Sequence, residues 1–306
     1  MYHFNSVFSV NNIYTLDNIP YTGKGICTAI LDTGIYPHKD LSDRIIHFED
    51  FVNKRTAAYD DNSHGTHVAG IIAGNGNASK KSICGIAPDS NIISLKILDN
   101  KGNGKKDYLV SACEWIIENH NKYAIKIVNI SIGSETKNCE EEKSEICEIL
   151  TQIWDLGINI VVSAGNLGPG YGTITFPGTC ENVITVGNDN QLIRNKKQTS
   201  RQTLINHSGE GPTKCNIDKP DLIAPGHEII SCHNKYNGYT VKSGTSMSTP
   251  IVSGAIALYL EKFPNATNDS IKYNLKTTAT DLFLPRNIQG AGLLNIKQFL
   301  QKEPLD

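Results

Sequence analysis

Short, largely apolar runs closed by turn residues alternate along the chain with longer stretches in which apolar positions recur every three or four residues. "GICTAILDTG", "NIISLKIL", "KIVNISIG", "GINIVVSAGN" and "NVITVGN" are the short runs. Their β-branched content and length predict strands buried on both faces. Between them, Tyr108 to His120 sets Leu109, Cys113, Ile116 and Ile117 on one side, and Glu148 to Leu156 repeats the spacing, which predicts amphipathic helices. Strand, helix, strand in regular succession predicts an α/β fold, with a mostly parallel central sheet covered by helices on both faces. No internal repeat or low-complexity linker divides it, so one domain is expected. Two segments break the pattern. Residues 134 to 148, "SETKNCEEEKSEICE", carry six glutamates and are expected to form a solvated loop leading into a helix. Residues 190 to 219 are polar and poor in strand signals.

Composition narrows the picture. A chain of 306 residues can bury a sizeable core. With 29 Lys plus Arg against 31 Asp plus Glu, the net charge of -2 gives no pull toward nucleic acid or a membrane surface. No apolar run approaches the length of a membrane span. The start, "MYHFNSVFSVNNIYTL", lacks the cationic end, apolar centre and cleavage site of a signal peptide. If Met1 is the native start, a cytoplasmic protein is expected; if the chain is trimmed from a precursor, a secreted one. Eight cysteines permit disulfides, but Cys27 and Cys113 lie inside apolar runs and no CxxC pair occurs. Buried free thiols are therefore expected, without metal ligation. A bridge between Cys139 and Cys147, inside the polar insert, stays open as the exception.

In an open parallel sheet chemistry collects at the carboxyl ends of the strands. Asp32 ends the first strong strand. His64 opens a helix whose Val68, Ile71 and Ile72 face inward. Asn166 ends "VVSAGN", and Ser246 precedes the apolar helix "STPIVSGAIALYL". Singly, each has a plain structural explanation as a turn or capping residue. His64 and His67, three apart, make a poor metal site without a further ligand in register. Together, an aspartate, a histidine and a serine at the mouths of three elements are the parts of an acyl-transfer triad. Gly65, Gly165 and Gly244 are read as letting a substrate backbone come close. Pro250 is read in the first helical turn, where its missing N–H costs nothing.

"AILDTGIYPHKDL", "NSHGTHVAGIIAG", "VVSAGN" and "SGTSMSTP" stand in that order, and the sequence resembles the subtilisin-like serine proteases (subtilases) from about Gly23 to Phe299. Within them it is most similar to bacterial alkaline proteases of the AprX type. The resemblance implies a single-domain, three-layer subtilisin-like fold, with residues 1–22 as an N-terminal arm and 23–306 as the catalytic domain. It implies a serine endopeptidase with Asp32, His64 and Ser246 as the triad and Asn166 as an oxyanion donor. A peptide or protein substrate is then expected as an extended strand between Ser131, Ile132, Gly133 and Gly102, Asn103, Gly104. Ser163, Ala164 and Gly165 form the other wall of the first pocket, and Thr175 narrows its base. The Phe176–Pro177 bond is expected to be cis. Asp60 and Asp61 are expected to border the second pocket and, with the glutamates of the insert, to favour basic residues near the cleavage point. The chemistry requires no cofactor. Asp40 matches a calcium ligand of some relatives, yet "NGNASKKSICG" offers two lysines and no carboxylate, so a structural calcium ion is left open but not predicted. The alternative is a catalytically silent subtilase fold that binds or regulates a partner; such proteins lose a triad member, and none is lost here. A nucleotide-binding protein is set aside because no GxGxxG or GxxxxGK[ST] opens a helix. The sequence says nothing of oligomeric state.

Overall fold

The structure is a computed structural model, and it describes residues 19–142, 144–189 and 207–305. Seven parallel strands form its centre: β1 (Cys27–Asp32), β2 (Ile45–Asp50), β3 (Asn91–Lys96), β4 (Ile125–Ile130), β5 (Asn159–Ser163), β6 (Ile184–Asp189) and β7 (Leu222–Pro225). Their spatial order is β2-β3-β1-β4-β5-β6-β7, so the chain passes from β1 to the edge strand β2, fills the gap between them with β3, and then builds β4 to β7 outward on the other side of β1. The order reverses between β1 and β4, and the crevice at such a reversal is where an open α/β sheet binds its ligands. Every residue of β1 and β5 is buried, as the unbroken apolar runs predicted.

Two helix pairs cover the sheet. The first is α1 (His64–Ala73) with α5 (Thr245–Lys262), which pack on each other while α5 runs over β4 to β7. The second is α2 (Lys106–Tyr123) with α4 (Glu145–Asp155), packed together against β1, β4 and β5. Helix α2 extends the sequence reading by about half a turn at each end. Helix α4 begins three residues earlier than read, because Ile146 also faces inward. The short helix α3 (Cys139–Glu142) precedes it, and α6 (Asn268–Thr278), α7 (Arg286–Gln289) and α8 (Ile296–Gln301) complete the C-terminal part.

Helix α5 is buried on nearly every side, which explains its small hydroxylated residues. Larger side chains would not fit; a Cβ on Gly254 would lie 2.5 Å from Ile86. The hydroxyls are satisfied internally: Ser248 donates to the Ala224 carbonyl, Thr249 to the Thr245 carbonyl and Ser253 to the Asn129 side chain, each at 2.9 Å. Pro250 falls in the second turn of α5, not the first. Its missing N–H therefore does remove one intrahelical bond.

Strands β2 and β7 were not read from sequence. Strand β2, "IIHFED", is a half-exposed edge with no clean alternation, and β7 has four residues ending at a proline. An antiparallel hairpin, β8 (Ile229–Cys232) with β9 (Tyr239–Lys242), packs on α1 and delivers the chain to Ser246. Of the polar stretch 190 to 219, residues 190–206 lie outside the described residues, and 207–219 contain no regular element. The Phe176–Pro177 bond is cis, as expected.

The expectation of free thiols fails for four of the eight cysteines, and the Cys139–Cys147 bridge left open is not formed. Cys139 bonds Cys215 and Cys147 bonds Cys180. Helices α3 and α4 fold the insert back onto the rest of the domain, so each cysteine meets a distant segment instead of its neighbour. Glu142 reinforces the first junction: its buried carboxylate accepts the backbone N–H groups of Lys214 and Cys215, both at 2.9 Å. Cys27, Cys113 and Cys232 are buried free thiols, and Cys84 is half-buried. Burial pushes the thiols of Cys27 and Cys113 up to about 12, so they are inert near neutrality. Replacing Cys147 and Cys180 together by serine is expected to cost about 2–4 kcal/mol in urea unfolding, with reductant, which also opens Cys139–Cys215, producing at least as large a loss in the parent protein. Unchanged midpoints in both experiments would show that the bridge does not constrain the unfolded chain.

Candidate active site

Helix α1 lies close enough to the end of β1 to bring His64 onto Asp32. Its Nδ1 is 2.8 Å and 2.9 Å from the two Asp32 oxygens. The approach depends on Gly65, where a Cβ would stand 2.2 Å from the Gly34 carbonyl and 3.2 Å from Asp32 itself. Gly65 thus serves helix-to-strand contact, not substrate access as the sequence suggested. Thr33 locks the junction by accepting the Gly65 N–H and donating to Asp60, both at 2.9 Å. Asp60 in turn accepts the N–H groups of Asn62, Ser63 and Thr66 and the Thr66 hydroxyl. A carboxylate at the start of a helix satisfies its orphan donors and complements its dipole.

Asp32 is fully buried, whereas His64 is half-buried at the cleft. Burial alone would lower the pKa of the imidazole. The charge and hydrogen bond of Asp32 outweigh that effect and hold it above the ordinary value. His67, one turn on, is a contrast. It is fully buried, its Nε2 faces the carbonyls of Ile229 and Thr240 at 3.1 Å and 3.2 Å, and desolvation pushes its pKa down to about 3. It ties α1 to the hairpin as a neutral ring.

Ser246 is the second residue of α5, after Gly244, and is half-buried. Its Oγ donates to the Ser131 carbonyl at 3.0 Å. Asn166 is exposed, and its Oδ1 accepts the N–H of Thr245 at 3.0 Å and the Thr245 hydroxyl at 3.2 Å. Gly244 packs against this amide, where a Cβ would be 3.3 Å away. Two neighbouring cavities meet here. One, of about 710 Å³, holds His64, Ser131 and Ile132; the other, of about 260 Å³, holds Ser246, Asn166 and Thr175; Gly133 and Glu135 line both.

The structure brings Asp32 and His64 into direct contact and places Ser246 beside Ser131 at the shared rim. Gly102 and Gly104 line the larger cavity, while Ser163, Gly165 and Thr175 line the smaller. Asn103 and Ala164 line neither; the Ala164 carbonyl accepts the Thr175 N–H at 2.9 Å. Ile97, Leu98, Leu109 and Ile146 add apolar lining to the larger cavity that the sequence did not point to. Asp60 and Asp61 are absent from both linings. Asp60 is buried in the network above, and Asp61 pairs with the buried Lys96 at 2.8 Å. Glu135 and Glu141 reach the larger cavity but face Lys101, Lys105 and Lys106 there, so the expected preference for basic residues loses its ground.

Asp40 does not fit a calcium ion. Its oxygens accept the Ala78 N–H and the Tyr239 hydroxyl, both at 2.6 Å, and the Arg44 guanidinium bonds the Asp40, Ala73 and Pro88 carbonyls beside it. His38, Asp40 and Cys232 gather ligand atoms within 4.8 Å of one another. The His38 nitrogens already meet the Asp40 N–H and the Gly238 carbonyl, both at 3.1 Å, so the cluster works as a buried cross-link.

Fold and site together define an α/β protein that gathers a buried carboxylate, an imidazole, a hydroxyl and a side-chain amide around one cleft at the carboxyl end of a parallel sheet. The chain belongs to the Subtilase family, whose profile matches residues 23–292. It is 40% identical over 295 residues to serine protease AprX of Bacillus subtilis (strain 168), across 90% of this chain and 66% of that protein. It is 33% identical over 276 residues to subtilisin Savinase of Lederbergia lenta, across 90% of each. Among solved structures, S41 psychrophilic protease superposes with a TM-score of 0.78 at 27% identity, covering 94% of this chain and 97% of that one. Sphericase gives 0.74 at 30% identity, covering 89% of each. The chain spans just under two thirds of the length of AprX and of the Alkalihalobacillus alcalophilus alkaline protease. No helix among the described residues is long and apolar enough to cross a membrane.

The buried His67 predicts an acid response. His67 binds a proton in the unfolded chain near pH 6.5 but in the folded one only near about 3. Between those values the unfolded state holds more protons, so stability falls as pH drops through that window, by ~1.4 kcal/mol per unit from this group. Urea unfolding from pH 6 to 4 should show that slope, and His67→Gln should remove it. A slope untouched by the substitution would mean that other groups drive the acid response.

Proposed function

We propose that the chain is a serine endopeptidase that cleaves peptide bonds through an acyl-enzyme formed on Ser246. The observation that carries this reading is the Asp32–His64 contact, with both carboxylate oxygens within 2.9 Å of Nδ1, at the rim shared with Ser246. The Ser246 hydroxyl rests on the Ser131 carbonyl in the free protein, and the reading requires it to turn from there to His64 Nε2 when substrate binds. Serine–histidine bonds are commonly loose without substrate and tighten around it.

In the proposed sequence, Ser246 Oγ bonds to the scissile carbonyl carbon as His64 takes its proton, and Asp32 stabilises the resulting imidazolium. The Asn166 Nδ2, whose amide is anchored through its Oδ1 on the Thr245 N–H, donates to the developing oxyanion, together with the Ser246 N–H. Collapse breaks the carbon–nitrogen bond, and His64 returns the proton to the leaving amine. Water then repeats the attack, and its proton passes through His64 back to Ser246. The substrate is a peptide or protein segment lying as an extended strand between residues 131–133 and 102–104.

A fluorophosphonate probe tests this directly, because only an activated serine reacts. Labelling at Ser246, lost in Ser246→Ala together with peptide cleavage, is expected; absence of labelling in the folded parent protein would leave a binding protein on a subtilase fold. Asn166→Ala should lower kcat by about 10²–10³ with KM little changed, the figure such a donor carries in the subtilisins themselves. Unaltered turnover would remove Asn166 from the oxyanion site. The kcat/KM should rise with pH through the raised His64 pKa, since the neutral ring is the base. Asp32→Asn should move that rise to lower pH; an unmoved limb would assign it to another group.

A further inference from the structure

We infer that Lys96 is a positioning residue of the reaction, through which occupation of the substrate groove reaches the Asp32–His64 pair; this rests on the proposed peptidase reading and deepens it. Lys96 closes β3 and is the strand partner of Asp32, yet this lysine is fully buried. A buried charge is costly unless each of its hydrogens finds an acceptor. Here all three do. The ammonium donates to the Thr33 carbonyl at 2.5 Å, to the Leu98 carbonyl at 2.8 Å and to the Asp61 carboxylate at 2.8 Å. The Tyr59 ring covers it from 5.1 Å. No hydrogen is left for substrate, so the group acts through what it holds.

The three acceptors belong to three different parts of the site. Thr33 follows Asp32, and its hydroxyl receives the Gly65 N–H. Asp61 stands on the approach to His64, just before the helix start. Leu98 begins the wall that runs to Gly104, and both of these residues line the larger cavity. The N–H groups of Ile97 and Leu98 also bond the Asp32 carbonyl, at 2.9 Å and 3.2 Å. Nearer the surface Asn62 adds a second link. Its amide donates to the Asn100 carbonyl at 3.0 Å, while its side-chain oxygen accepts the His64 N–H at 3.2 Å. A substrate strand that presses on residues 98–104 therefore presses on the backbone at both members of the pair. Binding energy gained along the groove then aligns His64 in the transition state and does not only lower KM.

The test compares two fluorogenic peptides with the same attacked residue and leaving group, one of them extended by three residues into the groove. Both are run with the full chain, Lys96→Met, Asp61→Ala and Asp61→Asn, and active sites are counted by fluorophosphonate labelling. In the parent the extension should raise kcat about tenfold or more, besides lowering KM. Lys96→Met should cut that gain in kcat by about threefold or more. The extension should still lower KM in this variant, because the bonds to Asp32 and Asn62 keep the wall in place. Asp61→Ala breaks only the tie to the His64 approach and should reduce the gain as well. Asp61→Asn keeps an oxygen for the ammonium and should restore most of it. A lysine that merely supported the fold would lower kcat for both peptides by one factor; a gain left at the parent value would overturn the inference. So would a labelled parent whose kcat ignores the extension, with the peptidase reading intact. Failure of the parent to label would instead overturn that reading, and the inference with it. If Lys96→Met does not fold, the contrast between Asp61→Ala and Asp61→Asn decides, since the Asp61 side chain is 37% exposed and the ammonium keeps two carbonyls.

Discussion

The contact between Asp32 and His64 constrains the architecture around it. It requires the first turn of a helix to sit almost on the end of a strand, and Gly65 makes room because the Gly34 carbonyl and Asp32 occupy the place of its missing side chain. The closeness is then fixed by Thr33 and Asp60, whose bonds run from the strand end into the helix start. Burial of Asp32 removes water from one side of the pair, which strengthens the attraction that raises the pKa of the imidazole. Strand position, helix position and the protonation of one ring are in this way a single coupled quantity.

The rest of the cleft is brought to that pair by the sheet. Reversal of strand order between β1 and β4 leaves a crevice where Asp32 and the residues after β4 lie side by side. Helix α5 enters from behind the sheet, and its small, internally bonded residues let it lie flat against β4 to β7 so that Ser246 arrives beside Ser131. The acidic insert closes the far wall. It is pinned by Cys139–Cys215 and Cys147–Cys180, by Glu142 on the backbone of 214 and 215, and by paired backbone bonds between Ser134 and Phe176. Its Ile146 joins the groove lining, so a segment that looks like solvated surface shapes the binding cleft.

Periodicity revealed the elements that are buried on both faces and missed those that are not. Strands β1, β3, β4, β5 and β6 are continuous apolar runs with turn residues behind them. Strand β2 has a mixed polar pattern because it lies at the sheet edge, and β7 is too short to show a period. The four residues proposed for the chemistry stood out because each ends or begins an element and is flanked by small residues. What could not be read was anything set by distance in the chain. Cysteine partners 76 and 33 residues apart leave no local trace, so a pairing within the insert stayed open that the folded chain does not make. Gly65 looked like room for substrate because sequence does not say which neighbour fills the space a glycine leaves. Asp60 and Asp61 looked like pocket charges because a helix-start carboxylate and a lysine-paired one are identical on the page to free ones.

The most direct measurement of this coupling is the NMR titration of the His64 ring in the parent protein and in Gly65→Ala, paired with the rate of fluorophosphonate labelling. The account predicts a pKa above 6.5 in the parent, and in the variant a lower pKa with slower labelling, because the added methyl group pushes the helix start off Asp32. A folded Gly65→Ala protein whose His64 titrates and labels like the parent would contradict the claim that close packing at this glycine sets the pair.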